Sequence, residues 1–209
     1  MASETETEVK TDAALKTADS WSLPTRLLHI GMVATVTAQL ALSLMMEPPD
    51  EENISALASA TFEAHEVIGM TALVIVLAHW LWTLFNHADG GLRHLFPWFG
   101  EARAEVVREA QAMFGGKLPE GGVRGGLPGF IHGLGLLIVS GMVVTGGILF
   151  FIMPESGEFT GVVEWVAESH ETIATLIWLY WGGHGATAML HHLKGDSILK
   201  DMFSFSRRQ

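Results

Sequence analysis

Six histidines of this chain, His29, His65, His79, His132, His170 and His184, fall within or at the ends of long apolar runs. An ionisable side chain in such a run is costly and marks a functional site by default. Their spacing sorts them. His170 and His184 are fourteen residues apart, which on one α-helix is about 21 Å of rise with both side chains within roughly 40° of each other. His65 opens a different apolar run, at a depth that matches His170, and His29 lies at about the depth of His184. Two layers of facing imidazoles suit bis-histidine ligation of two b haems, each iron taking one neutral imidazole from each of two helices. Two haems stacked through an apolar layer would let single electrons cross a barrier that excludes ions. A second scheme stays open on geometry alone. His79 follows His65 by fourteen residues, so His65 and His79 could face His170 and His184.

The elements that must position these residues are four apolar runs, roughly 25–46, 62–85, 128–153 and 168–193. Each has the ~20 residues or more that a helix needs to cross about 30 Å of hydrocarbon. None alternates like a barrel strand. Pro24, Pro48, Pro49, Pro128 and Pro154 lie at or near their ends, where helices start and stop. The predicted fold is therefore all-α, an integral membrane four-helix bundle holding two b haems, over residues 21–202. Residues 1–20 are polar and acidic, without the apolar stretch of a signal peptide, and read as a disordered tail. Residues 203–209 form a second tail. The connection 86–127 contains a mixed-charge stretch at 102–114 that reads as a surface helix, then a glycine-rich linker.

Composition agrees. Of 209 residues, 49% are hydrophobic and 17% charged, against about 25% charged in soluble domains. No cysteine is present, which excludes disulfides, thiolate metal sites, iron–sulfur clusters, attached c-type haem and a catalytic thiol. The net charge of −11 argues against nucleic acid as a partner. All twelve Lys and Arg residues precede or open the first run, lie in the 86–127 connection or follow the fourth run, while the other two loops carry acids alone. The positive-inside rule then places both termini and the long connection in the cytoplasm of a bacterial inner membrane, with the acidic loops outside.

Three stretches resemble a known family. ESHETIATLIWLYWGGHGATAMLHHLKGDSILKDM (168–202) is similar to the fourth helix and tail of prokaryotic cytochrome b561, and to the related cytochrome b subunits of hydrogenases and formate dehydrogenases. WSLPTRLLHIG (21–31) resembles that family's first-helix start and FEAHEVIGM (62–70) its second. The resemblance implies one haem b on His29 and His184 at the inner side, and a second on His65 and His170 at the outer side. Members commonly carry an arginine that pairs with haem propionates where this chain has His79.

Neighbouring residues have alternative readings. Arg26, one turn before His29, is either an inner-propionate partner or a snorkelling anchor. His132 is a propionate or quinone contact, an interfacial residue, or a ligand. Glu66 and Glu171 follow the outer histidines and are either helix-start carboxylates or proton carriers. His87, His94, His191 and His192 read as solvated loop or edge residues. The expected function is electron transfer between an outer-face partner, a periplasmic cytochrome c or a dehydrogenase subunit, and quinone. A stand-alone superoxide-oxidising, quinone-reducing enzyme is the alternative, although acidic outer loops would repel an anion. A histidine-lined proton or metal transporter fits less well, because the span interiors hold almost no carboxylates.

Overall fold

A computed structural model describes residues 21–47, 55–86, 89–119, 125–154 and 160–203. The tails at 1–20 and 204–209, Pro48, Pro49, His87 and part of each connection between the long helices lie outside the described residues. Every regular element among those described is helical: α1 (Leu23–Leu42), α2 (Ala56–Phe85), α3 (Gly91–Leu95), α4 (Gly100–Phe114), α5 (Gly126–Ile152), α6 (Val162–Leu193) and α7 (Ile198–Phe203).

Three of these, α1, α2 and α5, are long and apolar enough to cross a membrane. Helix α6 is the longest, at 32 residues, but tryptophans, glycines and histidines dilute its hydropathy. At most 22% of the residues in the three apolar windows are buried. Val74, Leu77, Leu81, Phe151 and Leu179 all lie exposed. Helices that are apolar all round and still expose that surface are suited to lipid, where only fully hydrogen-bonded backbones are tolerated.

The chain divides into two compact units, and the four long helices contribute to both. One unit holds residues 28–79 and 135–183. Its helices approach through glycines: a Cβ on Gly31 would lie 3.2 Å from Ile75 Cδ1, and one on Gly141 would lie 3.3 Å from Ile173 Cδ1. A Cβ on Gly135 would overlap the Tyr180 ring. Small residues at such crossings let membrane helices pack without a hydrophobic driving force. Trp181 Nε1 donates to Thr37 Oγ1 at 3.0 Å, tying α6 to α1.

The other unit holds the described parts of 1–27, 80–134 and 184–209. Its short helix α3 is pinned at two points. Asp89, just before it, accepts hydrogen bonds from Ser22 N (3.0 Å), Ser22 Oγ (2.5 Å) and Thr25 Oγ1 (2.5 Å), so it caps the start of α1. Gly133 of α5 lies against the Leu95 carbonyl so closely that any side chain there would collide with it. Gly90, at φ +84°, makes the left-handed turn into α3, a conformation that glycine adopts without penalty. Glu109 of α4 accepts from Leu127 N at 2.7 Å, which secures α4 to the first turn of α5.

Candidate haem sites

The outer pair of histidines is brought together within one unit. His65 lies on α2 and His170 on α6, with ring centroids 6.3 Å apart and ring planes inclined at 77°. Two metal–imidazole bonds of about 2 Å each, plus half of each ring, account for roughly 6 Å between ring centres. The spacing therefore fits one iron held between the two rings. His170 Nδ1 is 2.8 Å from Thr145 Oγ1, and that hydroxyl lies 2.9 Å from the Gly141 carbonyl. With the hydroxyl proton directed at that carbonyl, Thr145 is placed to accept from His170 Nδ1–H, which would leave Nε2 free for a metal, the kind of support that ligand histidines ordinarily have. Gly146 makes room for the ring, since a Cβ there would sit 2.9 Å from His170 Cε1.

His65 is positioned differently. Its backbone carbonyl accepts from Gln39 Nε2 at 2.8 Å. Gly69 admits that amide, because a Cβ at position 69 would fall 2.8 Å from the same Nε2. His65 Nδ1 is buried and has no hydrogen-bond partner among the described residues. Of the two outer acids, Glu66 is half-buried and Glu171 exposed.

In the other unit, His184 and His132 meet edge-on, with ring centroids 5.3 Å apart and ring planes inclined at 73°. His29 and His79 both belong to the unit that holds the outer pair. Beside His184, a Cβ at Gly182, Gly183 or Gly185 would meet no atom within 4 Å among the described residues beyond its chain neighbours and the backbone of α6 itself. A flat macrocycle against α6 would need such a surface.

Three sequence expectations change here. Arg26 is buried, at 7% exposure, and its Nη1 donates to the Asp201 carbonyl at 3.3 Å, so it does not snorkel. His191 was expected to be solvated, yet it is 6% exposed with Nδ1 2.6 Å from Asp196 Oδ2. The fold turns back at Gly195 (φ +96°) and covers it. His94 was also expected to be solvated and is likewise 6% exposed, because α3 is pinned onto α5. Trp21 meets His94 edge-on at 5.1 Å and His132 at 5.9 Å. Burial holds the His94 imidazole down at about 4, against the opposing pull of the Asp89 carboxylate. The signal missed in the sequence is the glycine pair at 90 and 91 with Gly133, which together permit α3 to dock. His192 is exposed, as expected of an edge residue.

No group of three or more metal-ligating side chains occurs among the described residues. The His65–His170 pair offers two imidazoles, a donor set that suits a low-spin haem. The sequence model of one family, prokaryotic cytochrome b561, matches residues 20–205. No curated protein and no solved structure matches the chain.

Proposed function

The chain belongs to the prokaryotic cytochrome b561 family, a family of membrane helical bundles that bind b-type haem and transfer electrons, and we propose that this member carries two haems in separate layers. The observation that carries the reading is the His65–His170 pair, 6.3 Å apart with Thr145 on the far nitrogen of His170. The outer haem is held by His65 and His170, and the inner one by His184 with His29. The His29 assignment rests on the family pattern and on the matching depths of the two residues. His79 is the competing inner ligand, and Arg26 and His132 are polar contacts of the inner group.

A haem supplies a one-electron Fe(III)/Fe(II) couple at each layer. The chain's own residues set where those layers stand. Helix α6 carries both His170 and His184, so their separation is fixed by about 21 Å of helical rise. Thr145 holds one tautomer of His170, and Gln39 fixes the carbonyl of His65. The apolar helices keep water and ions out of the layer between them.

Electrons pass between an outer-face partner and quinone. The outer loops carry acids and no Lys or Arg, which favours a basic periplasmic cytochrome c, and a dehydrogenase subunit is the other protein partner considered. By the positive-inside rule both termini lie in the cytoplasm and the protein resides in the bacterial inner membrane. Single alanine variants test the ligands by haem content. His65→Ala and His170→Ala each lose the same haem and keep the other. His29→Ala loses the second haem, and the inner assignment fails if His79→Ala loses it while His29→Ala does not.

A further inference from the structure

His94 belongs to no ligand pair, yet it is one of the most enclosed polar side chains among the described residues. It sits on α3, which Asp89 ties to the start of α1 and Gly133 admits against α5. Its Nε2 is buried with no hydrogen-bond partner among the described residues. A buried polar nitrogen left unpaired is destabilising, so a site built around one commonly serves a group that completes it. The surroundings say where that group lies. Trp21 packs edge-on against both His94 and His132, and His132 packs against His184. The four rings form one continuous cluster running from α3 to the inner haem ligand.

We propose that His94 Nε2–H donates a hydrogen bond to an oxygen of the group bound beside His184, either a haem propionate carboxylate or a quinone carbonyl. The inference rests on the reading of His184 as a haem ligand. The chemistry suits a neutral imidazole: it supplies a directed N–H without placing a charge in a buried site. The Asp89 carboxylate, whose charge acts on His94, is already taken up by Ser22 and Thr25, so it is not the acceptor of Nε2. His132, which Trp21 also meets edge-on, belongs to the same unit, as does Arg26.

The test uses the full holoprotein in detergent with His94→Leu and His94→Gln. Haem content is measured first: two haems in the unsubstituted protein keep the underlying reading intact, and their absence would refute that reading rather than this one. If the acceptor is a propionate, His94→Leu makes that carboxylate more negative and favours Fe(III). The inner-haem reduction equilibrium then falls by roughly threefold or more, about 28 mV at 59 mV per decade, while decylubiquinone affinity is unchanged. If the acceptor is a quinone carbonyl, the potential holds and the Kd for decylubiquinone rises about tenfold. In either case His94→Gln, which keeps an N–H donor, restores much of the wild-type value. Should the Leu variant lose the inner haem, a Gln variant that retains it at the wild-type potential supports the assignment. Unchanged potential and unchanged quinone affinity in His94→Leu, or Leu and Gln variants that behave alike, would overturn it.

Discussion

Thr145 is the residue whose contribution is most easily isolated. In the proposed outer site its hydroxyl, 2.8 Å from His170 Nδ1, would accept from that nitrogen and add imidazolate character to the ligand, which would favour Fe(III). In Thr145→Val the shape is nearly kept and the acceptor is lost. A neutral hydrogen bond contributes about 0.5–1.5 kcal/mol, so the outer-haem potential should rise by roughly 20–60 mV at 59 mV per decade, as read by spectroelectrochemical titration. His94 gives a second residue-scale prediction. An unfolded imidazole titrates near 6.5, whereas the buried one is held at about 4. Between those values the unfolded chain takes up a proton that the native protein does not. The contribution of neutral His94 is therefore complete above ~6.5 and is lost as pH falls towards 4, at about 1.4 kcal/mol per pH unit. Thermal unfolding from pH 7 to 4.5 should show a shallower fall in Tm for His94→Gln than for wild type. At this scale the sequence was partly legible. Position at the openings of their apolar runs put His65 and His170 at matching depths, and their rings lie 6.3 Å apart. Position alone misjudged His94 and His191, because burial of a loop side chain depends on what docks over it.

At the scale of elements, α3 is the least expected part of the fold. Five residues cannot hold a helix by themselves, and this one persists because Asp89 and Gly133 fix it from both sides. Gly133→Ala would drive a methyl group into the Leu95 carbonyl. Overpacking of this kind costs about 1–3 kcal/mol, and it should also release α3 and expose His94. The measurable results are a lower Tm and faster hydrogen exchange across 89–96, with haem content at the outer site retained. The long helices were readable from the sequence, since uninterrupted apolar length has few other meanings. Helix α6 is a partial exception. Its glycines and aromatics dilute its hydropathy, and they are the residues that flank His184 and pack against α1 and α5.

At the scale of the whole molecule, the distribution of charge carries the orientation. All twelve bases fall in three segments and the outer loops are acidic, so the chain should insert with both termini inside. The absence of cysteine makes a direct check simple. Gln111→Cys, on α4, should react with a membrane-impermeant thiol reagent only from the cytoplasmic face. Glu164→Cys, at the start of α6, should react only from the outside. Opposite labelling would reverse the assignment of inner and outer haems. The central claim is that one chain of this family holds two b haems between histidine pairs. It is tested most directly by haem quantification on the purified protein, together with a reduced-minus-oxidised spectrum. The account predicts a b-type α-band and two haems per chain, and a ratio of one or fewer would contradict it.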